Sequence, residues 1–136
     1  MRRRAIIDAN VVLRYLLGDD PKQSPEAVEL IEKSPAETLY LPTIVLAEVT
    51  WTLKSHFAVP RDEICSAIQR FIAQPSISVD PATLDAVGRF ATFNMDFADC
   101  ALAAASAATG LPVVTYDLDY RRFTDVVAKR PKELRL

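Results

Sequence analysis

Four short apolar runs punctuate this sequence: AIID (residues 5–8), TLYLP (38–42), SISV (76–79) and LPVVTY (111–116). Except in SISV, where serines alternate with Ile77 and Val79, the apolar residues run on, the pattern of strands covered on both faces. Helical segments stand between them. That alternation predicts an α/β chain with a parallel sheet. In such folds ligands gather beyond the carboxyl ends of the strands.

The intervening segments carry the marks of helices. VVLRYLLG closes at Gly18, and FADCALAAASAATG closes at Gly110, both suited to a C-terminal cap. PEAVELIEKS sets Ala27, Leu30 and Ile31 on one face and pairs Glu29 with Lys33 one turn on. RDEICSAIQRFIAQ spaces Ile64, Ala67, Ile68, Phe71 and Ile72 as a core-facing stripe. Pro81 opens a further helix, expected to run to about Phe93. A short helix around Leu118 to Phe123 and a basic tail complete the chain. With no repeat and no low-complexity linker, residues 1–136 are expected to form a single domain.

Composition narrows the classes. Half the residues are hydrophobic and 25% are charged, as in ordinary globular proteins and unlike disordered ones. No run approaches the ~18 apolar residues of a membrane span. The apolar run after Arg4 stops at Asp8, too short for a signal peptide, so a cytoplasmic location is expected. Cys65 and Cys100 form no metal-binding spacing and are expected to be buried thiols. The lone histidine, His56, reads as a helix-end surface residue. The net charge of −2 conceals an asymmetry. Arg121, Arg122, Lys129, Arg130, Lys132 and Arg135 against Asp125 and Glu133 give residues 120–136 a charge of +4, leaving −6 for the rest. Such basic clusters are either solvated surface or a rim that attracts a phosphate-rich polymer.

The acids carry the sharpest signal. Asp8 and Asp117 each follow a strand, at the carboxyl edge, where an aspartate also serves as a turn residue or helix cap. Asp119 reads as a solvated first-turn residue. Asp96 reads as the N-cap of the Ala-rich helix, with Asp99 at its third position. The helix dipole alone accommodates an acid there. The neighbours of Asp99 one and two turns on, Leu102, Ala103 and Ser106, form a packable face that turns it toward the fold. Glu48 has no helix end to explain it. It is the one charge between Thr38 and Leu53, flanked on a helical wheel by Ile44, Val45, Trp51 and Thr52, and is expected to face inward. An unpaired charge taken out of water costs several kcal/mol, so a compensating arginine, backbone donor or cation is expected. Converging carboxylates repel unless protonated or bridged by cations. An all-oxygen set suits Mg²⁺ or Mn²⁺, and one histidine with two scattered cysteines makes no zinc site.

The segments IIDANVVLRYLL, LPTIVLAEVTWTL and DFADCALAAASAATGLPVVTYD, in this order and over essentially the whole chain, resemble PIN-domain proteins, specifically the VapC-type toxins of type II toxin–antitoxin systems. The resemblance implies a three-layer α/β/α fold with a short central parallel sheet. It also implies an endoribonuclease that hydrolyses RNA phosphodiester bonds with Mg²⁺ or Mn²⁺. Carried over, the catalytic and metal-holding set is Asp8, Glu48, Asp99 and Asp117, supported by Asn10 and Thr115, with Asp119 competing for the fourth place. Asn10 stands where many relatives have Ser or Thr, and Tyr116 replaces an Arg common before the fourth acid. Arg14, Arg121 and Arg122 are expected at the RNA backbone. A VapB-like antitoxin and a homodimer are the implied protein partners.

Two alternatives remain. A haloacid-dehalogenase-like phosphatase also uses acids at strand ends, but needs a second Asp where this chain has Asn10. A non-catalytic metal- or partner-binding domain is the other, and the presence of all four acids speaks against it.

Overall fold

A computed structural model describes residues 2–135. The chain falls into two compact units, Met1–Asp80 and Pro81–Leu136. In the first, β1 (Ala5–Ile6), α1 (Ala9–Leu17), α2 (Gln23–Lys33), β2 (Leu39–Tyr40), α3 (Thr43–Ser55), α4 (Arg61–Ile72) and β3 (Ile77–Ser78) follow one another. The three strands pair in parallel in the order β1-β2-β3, with Ala5, Leu39 and Ile77 in register. The regular strands are shorter than the apolar runs. The flanking bonds Ile7 N–H to Tyr40 O and Leu41 N–H to Ser78 O extend the ladder past them.

Local chemistry sets the helix ends. Asp8 caps α1 by accepting the Val11 N–H, and Gly18 ends it at φ 59°, its N–H donating to Arg14 O. Only glycine takes that left-handed backbone without steric cost. The carboxylate of Asp20 accepts the Lys22 and Gln23 N–H groups, so α2 starts two residues before PEAVELIEKS. Of its expected face, Ala27 and Ile31 are buried while Leu30 is 41% exposed. The buried Ser76 hydroxyl donates to Ile31 O and ties the approach to β3 onto α2. Ile64, Ile68 and Phe71 of α4 are buried as expected, and Tyr15 meets Phe71 edge-on with ring centroids 5.3 Å apart. At the sheet, the Arg3 guanidinium lies 3.9 Å over the Tyr40 ring and donates to Asp80, which also accepts the Tyr40 hydroxyl. The Tyr40 bond, then Arg3, hold the Asp80 carboxyl below its usual pKa.

The second unit holds α5 (Pro81–Thr92), α6 (Phe97–Thr109), β4 (Val113–Val114), a 3₁₀ turn (Leu118–Arg122), β5 (Ala128–Lys129) and a last 3₁₀ turn (Pro131–Glu133). Helices α5 and α6 pack through Phe90 and Phe97, edge to face at 5.6 Å, over the small side chains Ala103 and Ala104. Gly110 ends α6 at φ 76°. Cys100 is a buried thiol, as expected, whereas Cys65 in the first unit is half-buried. Strand β4 pairs in parallel with β5, Val113 opposite Ala128, inside the segment expected to be only a basic tail. Arg89 of α5 donates from Nε to Asp85 one turn back and grips Asp125 with both terminal guanidinium nitrogens. Hydrogen bonding to Asp125, against the cost of burial, raises the Arg89 pKa, and the same bond lowers that of Asp125.

Candidate active site

Within the first unit, Asp8 stands just past β1, where the strand hands over to α1. One of its carboxylate oxygens, Oδ1, accepts the Val11 N–H at 3.2 Å, so the helix-cap role read from the sequence is real. Asp8, Asn10 and Arg14 line one cleft of about 710 Å³ between α1 and α2, together with Gln23, Glu26 and Leu30. The Arg14 guanidinium donates to Gln23 and to Asp19 at its rim.

Glu48 differs from expectation. Helix α3 buries Leu46, Val49, Thr50 and Leu53, while Glu48 is exposed. Ile44 and Trp51, one turn to either side of it, are 77% and 64% exposed. The segment carries apolar residues on both faces, and the face holding the leucines packs inward. Thr50 goes in with them because its hydroxyl donates to Leu46 O at 2.8 Å. Being in water, Glu48 incurs no burial cost and needs no compensating partner to be there.

In the second unit, Asp99 of the Ala-rich helix and Asp117 beyond the last expected strand both act on one buried residue, Tyr120. Asp96 takes the N-cap position of α6 and Asp99 lies in the first turn. The Tyr120 hydroxyl donates to Asp99 Oδ1 at 3.0 Å. Tyr120 is 3% exposed, and its hydroxyl feels the charge of Asp117 as well as that of Asp99. Burial first, then the Asp99 bond and these charges, push its pKa well up and keep it a proton donor. Beyond β4 the loop builds itself: Thr115 Oγ1 accepts the Asp117 N–H at 2.9 Å and Asp117 Oδ1 accepts the Asp119 N–H at 2.8 Å. Thr115 therefore supports Asp117 through its backbone, and Asp119 is an exposed first-turn residue, as read from the sequence. Arg121 and Arg122 are exposed, with Arg122 reaching Asn94 O at 3.4 Å. Tyr120 was missed by sequence reasoning. Its partner is 21 positions away, and an aromatic in DLDYRRF gives no sign of it.

The donor chemistry of these residues suits a hard divalent cation, since every candidate ligand is a carboxylate oxygen. Among the described residues no group of three or more His, Cys, Asp or Glu side chains forms a ready-made cation site. Nor is any helix among them long and apolar enough to cross a membrane.

Comparison with known proteins supplies the family. The model for the PIN domain matches residues 5–126, which run through both units. The chain belongs to the PIN domain family, whose members are typically nucleases and share the three-layer α/β/α architecture. No curated protein matches the chain in sequence. Among solved structures, it is similar to a chain of a complex described as VapBC2 from Rickettsia felis bound to a DNA fragment from their promoter. The identity is 13%, over 93% of this chain and 97% of that one, with a TM-score of 0.37.

Proposed function

We propose that this protein is a metal-dependent endoribonuclease of the VapC type, the toxin of a toxin–antitoxin pair, working as one nuclease domain. The observation that carries the reading is a PIN-family chain with acids at the sites of β-strand exit: Asp8 beyond β1 and Asp117 beyond β4, the latter sharing the Tyr120 hydroxyl's surroundings with Asp99. Asp8, Glu48, Asp99 and Asp117 are the residues that would hold Mg²⁺ or Mn²⁺. When bound, such an ion supplies Lewis acidity toward a phosphodiester and the water that attacks it.

The chain's own groups have separable tasks. Asp8 keeps one carboxylate oxygen on the α1 N-terminus, which fixes the direction of the other. The Asp119 amide does the same for the Asp117 carboxylate, while Thr115 holds the Asp117 backbone N–H. Asn10 and Arg14 line the cleft beside Asp8 and supply an amide and a cation to a phosphate backbone. Arg121 and Arg122 add positive charge at the exposed 3₁₀ turn. A VapB-like antitoxin, a homodimer and a cytoplasmic location complete the proposal. The motif-level likeness to VapC-type toxins supports all three.

The test is RNA cleavage by wild type, Glu48→Gln and Asp117→Asn with Mg²⁺, Mn²⁺ or excess EDTA. Cutting should require the metal and fall by orders of magnitude in both variants. Cleavage in EDTA, or full activity in both variants, overturns the mechanism. Hydrolysis of a small phosphomonoester without RNA cutting would favour the phosphatase alternative. Growth arrest on expression, relieved by a co-expressed small neighbouring protein, tests the toxin assignment.

A further inference from the structure

We infer that Tyr120 is a positioning residue that aims the Asp99 carboxylate at a divalent cation, an inference resting on the reading of Asp99 as a cation ligand. The ring of Tyr120 is buried beside Phe123, with centroids 6.3 Å apart, and a phenylalanine would fill that space as well. The hydroxyl is what needs explaining. A buried hydroxyl is unfavourable unless it finds an acceptor, and the acceptor here is one oxygen of a carboxylate. Asp99 Oδ1 is thereby occupied.

An aspartate carboxylate otherwise turns over a broad range about its last torsion. The hydroxyl removes that freedom and presents Oδ2 in one direction. Partners of this kind, behind a ligating carboxylate, typically carry about 10- to 100-fold of metal affinity. Tyr120 also lies near Asp117, so the 3₁₀ turn that delivers it links the two acids this unit contributes.

The test measures Mn²⁺ affinity of the full chain by calorimetry for wild type, Tyr120→Phe, Asp99→Asn and the double variant. Tyr120→Phe should remain folded by near-ultraviolet circular dichroism yet bind Mn²⁺ at least about 10-fold more weakly. The double variant should bind no more weakly than Asp99→Asn alone, because Tyr120 acts only through Asp99. Wild-type affinity in Tyr120→Phe, or a loss that adds in full to that of Asp99→Asn, overturns the inference and leaves the ligand role of Asp99 standing. An Asp99→Asn protein that binds Mn²⁺ like wild type overturns both. In the wild type, Mn²⁺ should broaden the Tyr120 ring resonances, and their persistence unbroadened also overturns the positioning role.

Discussion

Asp8 can be made to separate its two tasks. In the structure its Oδ1 accepts the Val11 N–H at 3.2 Å and starts a nine-residue helix whose first turns bury Ala9, Val12 and Leu13. Asparagine caps a helix about as well as aspartate, whereas alanine at such a position costs about 1 kcal/mol. Loss of the charge alone removes about 0.3–1 kcal/mol of attraction to the helix dipole, toward the low end at a solvent-exposed site. At about 2.1 cal/mol/K per residue, a chain of 136 residues unfolding together changes entropy by about 0.29 kcal/mol/K. A loss of about 1 kcal/mol then lowers Tm by about 3–4 °C. Asp8→Ala should show that drop, or somewhat more, in a calorimetric scan. Asp8→Asn should stay within about 1–2 °C of wild type. Both should lose RNA cleavage to the same large extent, because the proposed chemistry needs the charge and not the cap. Equal losses of Tm in the two variants would refute the hydrogen-bonded cap. Cleavage at the wild-type rate by Asp8→Asn would refute the need for a carboxylate there.

Three further outcomes follow from the fold. Gly18→Ala should cost about 1 kcal/mol in denaturant unfolding, all of it backbone strain at φ 59°, since an added Cβ there meets nothing within 4 Å. Arg89→Ala should cost about 1–2 kcal/mol at neutral pH, through lost packing of a guanidinium whose side chain is 10% exposed and of its partly exposed ion pairs. Arg89 holds the Asp125 pKa low, so that stabilisation is complete above the ordinary carboxylate range and is lost as pH falls below it through the lowered pKa of the folded state. The gap between wild type and Arg89→Ala should therefore narrow when denaturation is repeated below about pH 4. Trp51 is the only tryptophan, and it is 64% exposed. Its fluorescence should be solvent-like in the folded monomer and shift little on unfolding. A strongly blue-shifted native emission at low concentration would contradict the orientation of α3.

The helix ends were legible because their causes are local: Asp8 and Pro81 at starts, Gly18 and Gly110 at stops. Strands were legible as apolar runs but overestimated in length, because a ladder's extent depends on a partner far along the chain. The same dependence hid β5, where Val126, Val127 and Ala128 are too few, among charges, to announce a strand before β4 is in place. Glu48 was expected to face inward beside Ile44 and Trp51, and all three are exposed. A wheel cannot say which of two apolar faces packs, and the one holding Leu46, Val49 and Leu53 turned inward. The contact between Tyr120 and Asp99 had no counterpart in spacing or composition at all.

Asp8 and Asp117 each begin the turn of helix that follows them. Under the proposed function, selection for chemistry and selection for folding act on the same two codons and favour the same amino acid. Catalytic groups commonly persist at the expense of stability; here the side chains proposed to be reactive are also ones that the local backbone prefers. The corollary concerns descent. A single-base change from aspartate to asparagine leaves a well-capped, folded chain that has lost its charge. Folded but silent relatives are then one step away, able to persist as binding proteins without any repair elsewhere in the sequence.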